Sequence, residues 1–63
     1  MKTLRRALDI LELINESEKP LSTPEIAERI GINSSSVSRL LSVLKEYGYV
    51  RQRKDRNGKG LYR

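Results

Sequence analysis

The sequence contains no cysteine and no histidine among its 63 residues. Disulfide bonds and cysteine–histidine zinc sites are therefore excluded, together with catalytic sites that use either side chain. The carboxylates are scattered, and no pair of them marks a recognisable pocket wall. We therefore predict that the chain is not an enzyme and that it needs no cofactor and no metal.

Long apolar runs are also lacking. No stretch approaches the roughly 20 apolar residues of a membrane span, and the start of the chain lacks the pattern of a signal peptide. With cysteine absent, these features favour a cytoplasmic protein with no membrane partner. A chain of 63 residues is one small domain, near the size at which folding buries only about 60% of the unfolded surface. Either the core of one copy buries enough surface to stabilise the fold, or association with a second copy adds to its stability.

Negative charge is scarce in the second half of the chain. Residues 1–30 carry five Lys or Arg and six Asp or Glu, whereas residues 31–63 carry eight Lys or Arg and only two Asp or Glu. The net charge of +5 is thus concentrated after residue 30. Such asymmetry is typical of proteins that face a polyanion, although it also occurs on solvated surfaces.

Apolar spacing predicts a first helix over residues 3–17. Its predicted buried face consists of Leu4, Ala7, Leu8, Leu11 and Ile14. On the same helix Ile10 lies on the flank of this face, and Leu13 lies almost opposite it.

Strong start and stop signals predict a second helix over residues 23–30. Ser22 and Glu25 have the spacing of a capping box, and Leu21 is placed to pack against Ile26. Pro24 falls in the first turn, where its missing N–H is not needed. Gly31 supplies the left-handed residue that ends the helix.

A third helix is predicted over residues 34–47, with Asn33 as its N-cap and Gly48 at its end. Its predicted buried stripe is Val37, Leu40, Leu41, Leu44 and Tyr47. Two helices joined by a short turn that contains glycine form a helix-turn-helix.

After Gly48, the segments "YVRQR" (49–53) and "GLYR" (60–63) are typical of short strands. They flank "KDRNGK", in which Asn57-Gly58 favours a hairpin turn. Residues 1–63 are therefore predicted to form a single mainly α (α+β) domain. It is a three-helix winged helix-turn-helix with a C-terminal two-stranded β-hairpin wing.

The outward face of the third helix favours double-stranded DNA as the partner. On a helical wheel this face carries Ser35, Ser38, Arg39 and Ser42, with Ser34 and Lys45 at its edges. A recognition helix enters the major groove by its N-terminal end. Small hydroxyl side chains allow a close approach there and can bond phosphates or base edges.

Two alternatives remain open on this helix. Ser36 faces the protein and is as well explained by capping as by a DNA contact. Arg39 could pair with a surface carboxylate such as Glu46, but no Asp or Glu lies three or four residues away, and we favour DNA.

The hairpin carries Arg51, Arg53, Lys54, Arg56 and Lys59 against one acidic residue, Asp55. These cations could simply protect an exposed sheet edge, but their number favours phosphate contact.

The residues predicted to contact DNA come from the helix-turn-helix and the hairpin. They are Ser22, Thr23, Ser34, Ser35, Ser36, Ser38, Arg39, Ser42, Lys45, Arg53, Lys54, Arg56 and Lys59.

Four segments in this order and spacing resemble the N-terminal DNA-binding domain of IclR-type transcriptional regulators. They are "RALDILELI", "LSTPEIAERIGI", "SSVSRLLSVLKEYGYV" and "GLYR". The strongest match is Gly31 followed by Ser36-Val37, Arg39-Leu40-Leu41, Leu44 and Gly48-Tyr49-Val50.

This resemblance implies a homodimer that binds a palindromic operator in the nucleoid, with the serine-to-arginine segment in the major groove and the hairpin on the flanking backbone. Many members have Pro-Lys where this chain has Asn33-Ser34, so phosphate contact there must come from hydroxyls and backbone N–H groups. The larger effector-binding domain of the family is not found before Arg63. We expect no small-molecule effector site in these residues, which form either an excised domain or a small stand-alone regulator.

Dimer formation also has a candidate surface. Ile10 and Leu13 lie outside the predicted buried face of the first helix, so we predict that they form a weak symmetric contact. The competing function is a winged-helix protein-interaction module of replication or transcription machinery. That function predicts an exposed apolar patch in place of the serines.

Overall fold

The computed structural model describes all 63 residues, which form three helices and three short strands. In chain order they are α1 (Lys2–Glu16), β1 (Leu21–Ser22), α2 (Thr23–Ile30), α3 (Ser34–Glu46), β2 (Gln52–Lys54) and β3 (Gly60–Tyr62). This is the predicted winged helix-turn-helix. None of its helices combines the length and the apolar character needed to cross a bilayer.

Both ends of α2 form as predicted. The Ser22 hydroxyl accepts a hydrogen bond from the Glu25 N–H, and the Glu25 carboxylate accepts one from the Ser22 N–H. At the other end Gly31 has a φ of 84°, which a residue with a side chain adopts only at a cost. The N–H groups of Gly31 and Ile32 both bond the Ala27 carbonyl, so the chain leaves α2 in a fixed direction.

The start of α3 is separated from the end of α2 by three residues. The Asn33 side chain caps α3 by accepting a hydrogen bond from the Ser36 N–H at 2.9 Å. At the other end the N–H groups of Gly48 and Tyr49 bond the carbonyls of Lys45 and Leu44. These paired bonds end the helix in the manner favoured by a left-handed glycine.

The wing is a three-stranded antiparallel sheet in the order β1-β3-β2. The predicted hairpin of β2 and β3 is present, with Arg53 opposite Leu61. The sequence did not indicate β1, in which Leu21 pairs with Tyr62. This strand has two residues and leads directly into α2, so it leaves no alternating pattern in the sequence.

The core lies between the three helices and the sheet. Its buried apolar residues are Ile10, Leu21, Ile26, Ala27, Val37, Leu41, Leu44 and Val50. Leu40 is half-buried against this core, but Tyr47, predicted to be buried, is 72% exposed. Tyr47 is the C-cap residue of α3, so its side chain leaves from the helix end, beyond the packed turns.

The predicted buried face of α1 is correct for Leu11 and Ile14, which pack against the core, but wrong at its edges. Ile10, expected on the flank, is fully enclosed, and Leu13, expected on the opposite side, packs against the core. Leu4 and Leu8, expected inside, are 53% and 52% exposed. Apolar residues cover more than half of the helix circumference, and α2 and α3 enclose the side centred on Ile10.

Candidate nucleic-acid interface

One side of α3 presents a polar surface to solvent. Ser34, Ser35, Ser38, Arg39 and Ser42 are exposed, and together they are called the serine face below. Ser36 is half-buried. The side-chain hydrogen bonds of α3 join Ser35 to Asn33 and Lys45 to Gln52, and they leave the Arg39 guanidinium free. The serine face therefore presents short hydroxyls and one long cation.

The N-terminal end of α3 is open to an anion. The Asn33 side chain accepts hydrogen bonds from the Ser36 N–H and from the Ser35 hydroxyl. The N–H groups of Ser34 and Ser35 belong to the first turn, so they have no carbonyl acceptor within the helix. No acidic residue lies in this turn. The positive end of the helix dipole is thus uncompensated by the protein.

The start of α2 is different, because the Glu25 carboxylate of the same helix accepts hydrogen bonds there. Ser22 is 3% exposed, and its hydroxyl and its N–H both donate to a Glu25 oxygen, at 3.0 and 3.1 Å. These hydrogen bonds lower the pKa of Glu25 below its usual value. Ser22 was predicted to contact DNA, but its hydroxyl is buried and used within the capping box. Thr23 beside it is half-buried.

The wing tip is the five-residue loop 55–59 between β2 and β3. Its turn at Arg56-Asn57-Gly58 is where the sequence predicted it. The Asp55 carbonyl accepts from the Gly58 N–H at 3.0 Å, and Gly58 has a φ of 78°. The Asp55 carboxylate also accepts from the N–H groups of Asn57 and Lys59, at 2.9 and 2.8 Å. The one acidic side chain of the wing therefore braces its tip.

The wing cations are divided between the two faces of the sheet. Arg51, Arg53, Lys54, Arg56 and Lys59 are all exposed. Because side chains alternate along a strand, Lys54 shares a face with Gln52, while Arg53 lies on the other face. Gln52 pairs with Tyr62, which packs on the core, so this is the face turned toward the helices.

A direct hydrogen bond connects α3 to the wing. The Lys45 ammonium donates to Gln52 Oε1 at 2.7 Å. The amide nitrogen of Gln52 lies over Gly60, where an added methyl group would be 2.7 Å from it. Sequence reasoning found Lys45 but missed Gln52, because the contact joins positions on different elements and has no periodic signal. We call Lys45, Gln52, Lys54 and Gly60 the helix–wing junction.

The residues predicted for a dimer contact do not form a surface. Ile10 is enclosed within the domain, and Leu13 is half-buried against its core. The exposed apolar residues at the start of α1 are instead its N-cap, Met1, and Leu4 and Leu8, which follow one side of the helix. They line a shallow groove with Arg5 and Asp9.

The fold and the exposed helix together define a winged helix-turn-helix domain. A model of the IclR helix-turn-helix domain matches residues 3–54. The chain belongs to this family, whose domains bind DNA in transcriptional regulators.

Individual relatives agree with this assignment. The chain is 36% identical over 52 residues to the transcriptional repressor IclR of Escherichia coli strain K12, an alignment that covers 82% of this chain and 19% of the repressor. It is 36% identical over 59 residues to the HTH-type transcriptional regulator XynR of the same strain, covering 94% of this chain and 23% of XynR. It is 35% identical over all 63 residues to the HTH-type transcriptional regulator Rv1719 of Mycobacterium tuberculosis, covering 23% of that protein. The chain thus spans about a fifth of the length of these relatives.

Proposed function

We propose that this chain binds double-stranded DNA in a sequence-specific manner and serves in the control of transcription. The serine face enters the major groove, and the wing contacts the flanking backbone. The single observation that carries this proposal is the exposed serine face with Arg39, next to an open helix N-terminus.

The chemistry of α3 suits a close approach to base edges. Serine hydroxyls are short and can donate or accept, so they permit contact with more than one base. Arg39 has the length and the paired donors to bond a guanine edge in the major groove. The first N–H groups of α3 are suited to a backbone phosphate.

The wing supplies the electrostatic part of the binding. Its exposed cations lie on a hairpin next to α3, and most of the positive charge of the chain belongs to this half of the sequence. Cations that neutralise phosphates release counterions and make binding depend on salt. The wing is therefore expected to add affinity for any DNA sequence.

A homodimer on a palindromic site would use α1. Met1, Leu4 and Leu8 present apolar area that the monomer leaves uncovered, and a domain of this size gains stability from association. A two-fold axis at this helix would give each half-site its own α3, with the two helices separated by about 34 Å or a multiple of it.

A protein-interaction module is less well supported. It would require an apolar patch where the serines are, and the serine face carries none. Val43 and Tyr47 are exposed, but the helical wheel places them beyond Arg39, outside the serine face.

The decisive experiment is selection of duplexes from a random-sequence pool, followed by sequencing. Enrichment of a palindrome would support specific binding by a dimer, and enrichment of a single short motif would support binding by a monomer. A pool that stays random, with no retention above a column lacking protein, would contradict DNA binding.

A further inference from the structure

We propose that Gln52 is a positioning residue of the DNA interface, which holds the Lys45 ammonium toward a backbone phosphate at the helix–wing junction. This inference rests on the proposed function. It concerns a residue that no sequence pattern marks and that lies outside the serine face.

The Lys45–Gln52 hydrogen bond joins two exposed side chains on different elements. Lys45 lies in the last turn of α3, and Gln52 lies on β2. Both side chains are exposed, yet Nζ of Lys45 and Oε1 of Gln52 are 2.7 Å apart. A long exposed lysine ordinarily samples many rotamers, and ordering it carries an entropic cost. Fixing it before DNA arrives reduces the cost of ordering it on binding.

The Lys45 ammonium keeps its positive charge in this hydrogen bond. An ammonium group has three donors, so two remain after the bond to Gln52. Because the glutamine amide is neutral, it orients the ammonium without cancelling its charge. A glutamate at this position would give the same reach but would neutralise Lys45.

Gly60 leaves the space that the Gln52 amide occupies. Gly60 has no positive φ, so its backbone does not require glycine. Its missing side chain instead leaves room for Nε2 of Gln52, which lies 2.7 Å from the ideal Cβ position. Alanine at position 60 would displace the amide while leaving every predicted DNA-contacting side chain intact.

The position of the junction fits a phosphate. It lies in the angle between the last turn of α3 and the inner face of the wing, and Lys54 shares that face. If α3 occupies a major groove and the wing follows the adjacent backbone, the DNA strand between α3 and the wing runs past the helix–wing junction. Lys45, Gln52 and Lys54 would then face one stretch of backbone.

The test uses the whole chain and measures binding to a duplex enriched from the random pool and to a scrambled duplex of the same composition. Gln52→Met keeps the length of the side chain but removes the acceptor. We expect about fivefold weaker binding to both duplexes, because the Lys45 side chain must then be ordered when DNA binds. Gln52→Glu should weaken binding further and should lower the slope of log K against log salt, as Lys45→Met does. The thermal midpoints should match the wild type, since these side chains are exposed.

The Gly60→Ala substitution can be compared in two backgrounds, one with Gln52 and one with Gln52→Ala. Gly60→Ala should weaken binding when Gln52 is present and should have no effect in a Gln52→Ala background, where no amide is left to displace. Likewise, Gln52→Met should cost nothing further once Lys45→Met has been made. This dependence on both partners distinguishes positioning from a general structural role.

The outcomes separate this inference from the proposed function. If Lys45→Met and Arg39→Ala weaken binding but Gln52→Met does not, the positioning role is wrong and the proposed function stands. If Gln52→Met and Lys45→Met have independent, additive effects, Gln52 does not act through Lys45. If the wild type binds no duplex, both proposals fail together.

Discussion

Leu8 and Ile10 lie on opposite sides of α1, although only one residue separates them. Ile10 is fully enclosed by the domain, whereas Leu8 is 52% exposed. The two directions differ by about 200° on a helix. Any contact between two copies through α1 must therefore use the side of Leu8, and substitutions there can change association without disturbing the core.

The first prediction concerns this side. Leu8→Glu should leave the free energy of unfolding within about 0.5 kcal/mol of the wild type, because the site is exposed. In a two-fold contact it would bring like charges together, so cooperative binding to a full palindrome should fall while half-site affinity stays nearly the same. Sedimentation and titration of full and half sites measure both effects.

Two further variants serve as controls for Leu8→Glu. Thr3→Glu adds the same charge to an exposed position of α1 that lies about 140° around the helix from Leu8, and it should retain cooperativity. Leu13→Glu should instead lower stability, because Leu13 packs on the core. Undiminished cooperativity in Leu8→Glu would remove this side of α1 from the interface.

The second prediction concerns Arg39. If its guanidinium bonds a guanine edge, Arg39→Ala should cost about 1 to 3 kcal/mol on the enriched duplex and less on the scrambled one. Arg29→Ala removes an exposed cation from α2 and serves as the control. Equal losses on the two duplexes would mean that Arg39 contacts a phosphate.

The third prediction concerns the wing. Replacing Arg53, Lys54 and Arg56 by Ala should weaken binding to all sequences alike and should reduce the salt slope by about 0.9 for each phosphate that the wing no longer neutralises. Replacing Lys2, Arg6 and Lys19 by Ala gives a control with the same net charge as the wing variant but with an intact wing. If the two triples behave alike, the effect comes from net charge and the wing does not contact DNA.

The fourth prediction concerns the capping box. Hydrogen bonds from Ser22 lower the pKa of Glu25. A group with a lowered pKa in the folded state adds stability above its unfolded pKa, and this contribution is lost as the pH falls through the folded pKa. Glu25→Gln retains an acceptor that suits the capping box but does not ionise. Its deficit in unfolding free energy should thus be full at neutral pH and shrink in acid.

Denaturant unfolding at a series of pH values measures this deficit. Glu28→Gln, which removes the same charge from the same helix outside the capping box, is the control. A deficit of Glu25→Gln that stays constant from neutral to acid pH would contradict the assignment. Ser22→Ala should separately cost about 0.5 to 2 kcal/mol because it removes the cap, with no selective effect on DNA binding.

Local chemistry explains which parts of the fold could be predicted. The bounds of α2, its capping box, the Asn33 cap and the Gly48 end follow from residues close in sequence, whose hydrogen bonds span only a few positions. The hairpin turn at Asn57-Gly58 is equally local. These elements match the structure because no distant contact competes with them.

The errors come from contacts between elements. The apolar residues of α1 extend from Leu13 through Ile10 to Leu8 around the helix, and spacing alone does not determine which part of that arc α2 and α3 cover. Ser22 has the chemistry of a DNA contact, but the pairing of β1 with β3 and the return of Glu25 bury it. Gln52 acquires its role only because Lys45 lies within reach.

The pairing of β1 with β3 also affects the order in which this protein can fold. The middle strand of the sheet, β3, is the last element in chain order, and its Tyr62 pairs with both Leu21 and Gln52. The helix caps need only neighbouring residues and can form while the chain is still being synthesised. The contacts that span most of the chain form slowly, because long loops must close first. A nascent chain in which β3 is still inside the ribosome can therefore form α3 before the sheet of the wing is complete.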